Sequence, residues 1–560
     1  MGLPRRTPEA AEERSWVQRA ADAVTEYAHQ RKEPDEKIVC ASGISPSGPI
    51  HLGNLREVMT VHLVVEELTA RGLSVEHIHS WDDFDRLRKV PAGVPESFAT
   101  HIGRPISRVP DPYGEYPSYA DRFMADFTTS LNRLGVRPRF VRQSEAYRRG
   151  DYVDSIRVAL KKRLEIFDIL AAFQTPGRHS EDVDVRREAY YPFRPYCATC
   201  DRDTTVVTSY SEAEDTIEYD CASCGHHHRM SLSDRPLDGK LVWKVDWPMR
   251  WEFERVDFEP GGEDHSSPQG SYAVGKRIVR EIFGGVEPFY VGYAFVGLSG
   301  AVSKMSSSTG LAATPAAALE VLEPGIVRWL YARRRPEQSF SIDLGSPVQR
   351  LYDEWDQFLD RNESRAASEA EAHLAHLATT PTSGAIELTR VRAPFRVLAS
   401  SADLTQGNRE QITRIAGAHL TESARTPDLP QKLEPRLTCA INWALGFVPE
   451  EERTKVRDAF SREAWDALSP ETRAGIEQLS GQLDDEWTLE GLTHLLYNIP
   501  KRLMGLSDDA KPDAALKQSQ RAFFVGLYQL ICGSDTGPRM PTLFLSLGPE
   551  RVKELIGRSG

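Results

Sequence analysis

The spacing of apolar residues changes character along this 560-residue chain. Lys37-Ile38-Val39-Cys40-Ala41 holds a short uninterrupted apolar run, as expected of a strand buried on both faces of a parallel sheet. Turn formers and small residues follow from Ser42 to Pro49. From about His51 the period becomes helical through Leu52, Leu55, Val58, Met59, His62, Leu63 and Leu68, ending near Gly72. Residues 75–79 and 289–296 read as further strands, and Gly261-Gly262-Glu263-Asp264-His265 is a second Gly-rich turn ahead of a helix over 275–283. Beyond Thr314-Pro315, an N-cap followed by proline at the first helical position, the pattern is helical to the end. It runs over 316–334 with a break at Pro324-Gly325, over 351–377 as one stretch, and over 385–530 between Pro-rich joints. The order predicts an α/β half followed by a helical half, with no internal repeat.

Two strings carry the first candidate chemistry. His51-Leu52-Gly53-Asn54 stands where a strand and a glycine turn enter a helix, a place that offers unpaired N–H groups and a positive dipole end to phosphate. His51 in the first turn is placed to hydrogen-bond a phosphate oxygen, and Gly53, lacking Cβ, lets a flat adenine approach the backbone. Lys304-Met305-Ser306-Ser307-Ser308 follows a strand-like run and suits a loop over a triphosphate, with Lys304 as a point charge for a transferring phosphoryl group. Either string alone is weak, and an incidental turn or a solvated Ser-rich loop explains each one separately. Together they describe activation of a carboxylic acid by ATP.

Cys197-Ala198-Thr199-Cys200 and Cys221-Ala222-Ser223-Cys224 supply a second constellation. Two CxxC turns separated by twenty residues bring four thiolates together for tetrahedral Zn²⁺, expected to be structural because such a site is closed. The residues between them, 204–210 and 215–219, alternate like a hairpin. His226, His227 and His228 follow at once and are open to two readings, a ligand or a basic tip.

Hydrophobic content of 40% and charged content of 27% fit a globular chain. No run approaches the roughly 18 apolar residues of a membrane span, and Met1-Gly2-Leu3-Pro4-Arg5-Arg6 has no apolar segment behind it. The expectation is a cytoplasmic protein with no membrane partner. The net charge of −13 argues mildly against RNA binding. Residues 361–560 are not basic either, with 24 Lys+Arg against 27 Asp+Glu. A local patch would suffice, so charge does not exclude RNA.

The paired strings resemble the HIGH and KMSKS signatures of class I aminoacyl-tRNA synthetases. Longer blocks narrow the resemblance to the class I lysyl-tRNA synthetases: Gly43-Ile44-Ser45-Pro46-Ser47-Gly48, Asp82-Asp83-Phe84-Asp85-Arg86-Leu87-Arg88-Lys89-Val90-Pro91, Trp243-Lys244-Val245-Asp246-Trp247-Pro248-Met249-Arg250-Trp251, and Gly262-Glu263-Asp264-His265. Leu52, Asn54 and Ser307 depart from the general signatures, and Ser307 removes one phosphate-facing cation, leaving Lys304 to do more. The resemblance implies a Rossmann-like (HUP) parallel-sheet catalytic domain with an inserted zinc ribbon and an all-α C-terminal anticodon-binding region. The divisions expected are a helical extension at 1–35, catalytic halves at 36–190 and 236–312, a ribbon at 191–235, a connecting region at 313–384 and a helical cage at 385–560.

By that resemblance, lysine is activated to lysyl-adenylate and transferred to the terminal adenosine of tRNA(Lys), with ATP and Mg²⁺, by an enzyme expected to be a monomer. His51, Asn54 and Lys304 are the implied catalytic residues. ATP would lie on Ser47, Gly48, His51, Gly53, Asn54, Gly262, Asp264, Lys304, Met305, Ser306, Ser307 and Ser308, with Asp264 at the ribose or, alternatively, as an N-cap. Lysine would meet Gly43, Ser45, Trp243, His265 and Tyr293, with one of Asp82, Asp83 and Asp85 facing its ammonium; Asp82 is the candidate. Competing readings are another class I specificity, a nucleotidyltransferase of the pantothenate-synthetase kind, and a non-catalytic tRNA-binding paralogue.

Overall fold

The structure is a computed structural model that describes residues 14–33, 35–90, 93–173, 183–298, 314–382, 384–483 and 487–557; the string at 304–308 lies outside them. The chain divides into two compact units. Met1–Leu319, Pro324–Ile342 and Asp360–Ile386 form the first, and Glu320–Glu323, Asp343–Leu359 and Glu387–Gly560 the second.

The first unit opens with helix α1 (Trp16–His29), started by a reciprocal cap in which Ser15 and Gln18 exchange side-chain and backbone hydrogen bonds of 3.2 and 3.0 Å. Strand β1 (Ile38–Ile44), helix α2 (Leu52–Ala70), strand β2 (Val75–Trp81), helix α3 (Tyr119–Arg133) and strand β3 (Arg139–Arg142) follow. β1 pairs in parallel with β2 from Ile38↔Val75 to Ile44↔Trp81, and β2 with β3 from Ile78↔Arg139. On the other side of β1, Phe258 bridges Cys40, and Phe289 bridges Phe258, both in the parallel sense. Further along, Gly261–Gly262 pairs in parallel with Gly292–Tyr293.

The order across the sheet is therefore β3, β2, β1, the 257–262 segment and the 289–293 segment. Strand order reverses between β1 and 257–262, and in doubly wound α/β folds the crevice at the carboxyl ends of strands beside that reversal is where ligands bind. The structure thus supplies the parallel sheet expected of the first half.

α2 buries far more than one stripe, including Arg56, Thr60, His62 and Glu66 as well as its aliphatic positions. The buried polar residues on it are answered by other elements. Arg328 is fully buried, donates to Glu66 at 2.5 Å and to the carbonyls of Leu134 and Leu377 at 2.7 and 2.5 Å. Removing one partner of such a buried pair costs about 3–5 kcal/mol.

Between β3 and the returning strands, β4 (Thr205–Ser211), β5 (Thr216–Cys221) and β6 (His227–Ser231) form an antiparallel meander. Helix α4 (Trp243–Phe253) and helix α5 (Ser271–Ile278) then pack against one another beside the sheet through Trp251 and Gly275, where a Cβ on the glycine would lie 2.7 Å from the indole.

Thr314 does cap the helix Pro315–Val321, its hydroxyl accepting Ala317 N–H at 3.2 Å, and a new helix begins at Pro324. The single stretch expected over 351–377 is instead two helices, Pro347–Glu363 and Glu369–Thr379. Arg365 takes a left-handed φ of 57°, and Ser368 with Glu371 makes a fresh capping box, so the first helix stops and a second starts. The described part of the second unit is helical from Phe395–Leu404 to Pro549–Ile556, around a core that includes Trp465, Ile476, Leu496, Phe523 and Leu543. Within it, fully buried Arg436 joins Glu323 at 2.7 Å and Asp356 at 2.7 and 2.9 Å. No helix among the described residues is long and apolar enough to cross a membrane.

Candidate active site

At the reversal point, His51 is the N-cap of α2, and Asn54 Oδ1 accepts the His51 N–H at 3.2 Å. The His51 ring folds over Gly53; a Cβ there would come within 2.7 Å of Nδ1 and Cε1 and 3.5 Å of the Val296 carbonyl. Gly53 thus makes room for the histidine itself as well as for any ligand. Partial burial holds the imidazole below its ordinary pKa, so it meets an anion as a neutral hydrogen-bonding group. Ser47 is exposed, with its carbonyl held by Tyr119 OH at 3.1 Å, and a Cβ on Gly48 would meet nothing within 4 Å.

Across the crevice, Gly262 is the N-cap of the short helix Glu263–Ser266. Asp264 lies in that helix's first turn, exposed and 3.7 Å from His265 Nε2. The N-cap role considered for Asp264 is therefore taken by Gly262, and the carboxylate is left at the surface.

Two of the residues expected around an amino acid, Gly43 and Tyr293, meet on one carboxylate that the sequence did not announce. Glu57, on α2, accepts the Gly43 N–H at 2.7 Å through Oε1 and the Tyr293 hydroxyl at 2.8 Å through Oε2. Burial pushes its pKa up to about 8; the two hydrogen bonds oppose that shift, and the nearby Glu259 and Asp82 add to it. Trp243 is the exposed face of an aromatic stack, 5.3 Å from Trp247 and 6.2 Å from His265 between ring centroids. Trp247 and Trp251 are buried, and their indole N–H groups donate to Glu259 at 2.9 and 2.7 Å. Ser45 lies half-buried just past β1.

The three aspartates read as candidates for an ammonium all have cations of the chain beside them. Asp82 lies 2.9 Å from Arg250, Asp83 accepts from Arg142 at 2.9 Å and from Ser144 N–H and hydroxyl at 2.8 and 2.6 Å, and Asp85 accepts Lys240 at 2.7 Å. None of these cations is Arg86, Arg88 or Lys89, the sequence neighbours considered for the pairing. Arg250 also holds Asp246 at 2.9 Å, and Tyr147 donates to the same aspartate at 2.5 Å. Five carboxyl groups, Glu57, Asp82, Asp85, Asp246 and Glu259, thus stand with two cations, Lys240 and Arg250, and burial pushes Glu57, Asp82 and Glu259 toward their protonated forms, which a cation brought by a ligand would reverse.

Residues 14–380 match the family described as tRNA synthetases class I (K). The chain belongs to that family. A lysine--tRNA ligase of Streptomyces coelicolor (strain ATCC BAA-471 / A3(2) / M145) is 43% identical, over 98% of this chain and 99% of that protein. Lysine--tRNA ligases of Pyrococcus horikoshii and Borreliella burgdorferi are 34% and 30% identical, over 94% and 96% of this chain and 97% and 98% of theirs.

In this synthetase the four cysteines form a centre of their own. Their sulfurs lie within 4.8 Å of one another, with Cys197···Cys224 and Cys200···Cys221 at 3.6 Å. Tetrahedral Zn–S bonds of about 2.3 Å place sulfurs roughly 3.8 Å apart, so the donor set fits that ion. Each CxxC turn is closed by a left-handed residue, Asp201 at φ 61° and Gly225 at φ 71°. The expected hairpin is present as β4 and β5, and β6 adds a third strand beyond it. His227 and His228 lie in the third: His227 pairs with Asp220 at 2.8 Å and His228 packs on Tyr219, leaving four sulfurs as the ligand set among the described residues.

Glu57 and Glu259 are the residues that sequence reasoning missed. Glu57 carried one usable signal, a carboxylate six residues beyond His51 on the same helix. Glu259 carried none, because its partners are two tryptophans recognisable only once α4 lies against the 257–262 segment.

Proposed function

We propose that the synthetase activates L-lysine with ATP and charges tRNA(Lys), as a lysine--tRNA ligase. The observation that carries this reading is Glu57: among the described residues it has no cationic partner, while both its oxygens hold groups named for the amino-acid site, Gly43 and Tyr293. The acid-rich crevice floor and the aromatic wall of Trp243 and Trp247 favour an ammonium on an apolar stem, and Glu57, rather than Asp82, is the carboxylate offered to it.

In the first step a lysine carboxylate oxygen forms a bond to the ATP α-phosphorus, and the bond to the β-phosphate oxygen breaks, releasing pyrophosphate. In the second, the terminal ribose 2′ hydroxyl of tRNA attacks the lysyl carbonyl carbon, and AMP leaves. Both nucleophiles belong to substrates, so the protein supplies positioning and electrostatic stabilisation. His51 and the N–H groups of α2 face phosphate, Asn54 fixes the His51 backbone, and the Gly53 and Gly262 turns lie on the two sides of the adenosine. Asp264 reaches the ribose from the exposed turn. Ser47 and Gly48 border the phosphates, with Lys304 and the residues 305–308 completing the triphosphate site. Mg²⁺ neutralises the phosphates when bound. Gly43, Ser45, Trp243, His265 and Tyr293 surround the lysine.

Zn²⁺ on Cys197, Cys200, Cys221 and Cys224 holds the meander together as a ribbon, and the helical second unit serves tRNA binding.

Amino-acid-dependent ATP–pyrophosphate exchange across the twenty amino acids, with tRNA present, tests the reading. Exchange with lysine alone is expected; exchange with glutamate or arginine, or with none, would overturn it.

A further inference from the structure

Residues 103–107 run back along the block that begins at Asp82. Ser107 N–H donates to the Asp83 carbonyl at 3.0 Å, Ile106 N–H to that of Asp85 at 2.8 Å and Leu87 N–H to that of Arg104 at 2.8 Å, while Gly103 N–H returns to Leu87 at 2.9 Å. This doubled-back segment begins at the crevice floor. Its Asp82 lies 2.9 Å from Arg250, whose guanidinium stands 5.5 Å from the centre of the Trp243 ring, and its Asp85 accepts Lys240 at 2.7 Å.

The first pair of cysteines grips the same segment. Tyr196, the residue before Cys197, donates its hydroxyl to the Phe84 carbonyl. Asp201, the residue after Cys200, accepts from Arg108 and, at 3.4 Å, from Arg104. Asp203 donates its N–H to the Gly103 carbonyl at 2.9 Å and accepts Arg86 at 3.2 Å. Arg108 also stands 5.5 Å from the centre of the Phe84 ring.

The cysteine turn sets the spacing of these grips. Asp201 N–H donates to the Cys197 carbonyl at 2.8 Å, and Cys197 N–H to that of Arg202 at 2.9 Å. Cys197 and Cys200 are two of the four sulfurs that fit one Zn²⁺, so a filled centre holds Tyr196 and Asp201 at a fixed separation. Single part-exposed ion pairs contribute little, but several ties from one rigid turn act as a unit. Asp220, beside the second pair of cysteines, pairs with His227 instead.

We propose that residues 196–203 are a positioning element for the amino-acid site: Tyr196, Asp201 and Asp203 hold the segment that carries Asp82 and Asp85, and lysine affinity depends on an intact cysteine centre. The proposal rests on the reading that lysine binds in this crevice, and it gives the cysteine centre a role beyond holding the ribbon together.

The test uses the full-length, zinc-loaded protein as wild type and D201N, with D220N as the control. Asparagine tolerates the left-handed φ of 61° found at Asp201, so D201N keeps the turn and weakens its hold on Arg104 and Arg108. Zinc content, the KM for lysine and for ATP in ATP–pyrophosphate exchange at saturating tRNA, and amide hydrogen exchange over residues 82–107 are measured. D201N should retain zinc, with lysine KM raised about threefold or more and ATP KM within about twofold. The amides of Leu87, Ile106 and Ser107 should exchange about tenfold faster or more, while D220N matches wild type. Wild-type protein stripped of zinc should show the same faster amide exchange, a readout independent of activity. A smaller rise in lysine KM for D201N, an equal rise for ATP, loss of zinc by D201N, a D220N that behaves as D201N does, or unchanged amide exchange in D201N or the stripped protein would overturn the proposal. Absence of lysine-dependent ATP–pyrophosphate exchange in the wild type would instead sink the lysine reading, and amide exchange would still test the coupling.

Discussion

Glu57→Gln keeps the size of the side chain and removes its ability to ionise, so it isolates what the carboxylate does for an ammonium. Glutamine's single carbonyl oxygen can keep one of the two internal hydrogen bonds, to Gly43 N–H or to Tyr293 OH. The lost interaction is a hydrogen bond to a charged group, worth about 1.5–3 kcal/mol. At about 1.4 kcal/mol per factor of ten, the lysine KM should rise roughly 10- to 150-fold. The KM for ATP should stay within about twofold, because His51, Gly53 and Gly262 do not touch this group.

The raised pKa adds a second readout with a definite sign. With a pKa of about 8, Glu57 is mostly protonated at neutral pH in the free enzyme, and only its ionised form pairs with an ammonium. Lysine KM should therefore fall as pH rises from 6 to 8 and level off above that. The limit is about tenfold per pH unit, reduced because solvent screens a half-buried group. The assay is lysine-dependent ATP–pyrophosphate exchange at saturating ATP and tRNA between pH 6 and 8.5. A glutamine variant with wild-type lysine KM, or a wild-type KM that is flat over this range, would refute the assignment.

Gly53→Ala should cut the exchange kcat at least tenfold with little change in Tm, since a Cβ 2.7 Å from the His51 ring must displace it; undiminished exchange would show that the ring position is unimportant. Lys304→Ala should lower kcat for adenylate formation by about 10²–10³ with lysine KM little changed, and normal exchange would remove it from the phosphate site. One zinc per chain should be found by metal analysis, and Cys200→Ser or a strong chelator should make residues 197–231 protease-sensitive; a metal-free ribbon that resists proteolysis would disprove the structural role. His77 and His79 are kept neutral by burial, His79 down to about 3. Their folded pKa values lie below the unfolded value of about 6.5, so the unfolded chain gains protons as pH falls through 6.5 while the folded one does not. Stability is full above 6.5 and should drop by roughly 1.4 kcal/mol per imidazole, about 3 in all, by pH 5.5. Equal urea midpoints at pH 7.5 and 5.5 would contradict this.

Local information determined much of this protein. The apolar run at 37–41, the glycine turn and the helical spacing after His51 are each properties of neighbouring residues, so β1, the turn and α2 were legible in order. The two CxxC turns were legible for the same reason, because thiolates three positions apart meet at one point in any such turn. The longer blocks carried the family, since the pattern DDFDRLRKVP with WKVDWPMRW leaves little room for coincidence.

What the tertiary structure alone decided is who answers whom. Asp82, Asp83 and Asp85 have Arg86, Arg88 and Lys89 beside them in sequence, yet their partners are Arg250, Arg142 and Lys240. Glu57, unremarkable on its helix, became the uncommitted carboxylate only because the fold leaves it facing the Gly43 N–H of β1 and the Tyr293 hydroxyl of the last strand. Periodicity reports which side of an element is covered, whereas the cost of a buried charge is settled by whatever element arrives to cover it. That arrival is a property of the whole chain, and it separates a carboxylate that meets a cation of the chain from one that meets none among the described residues.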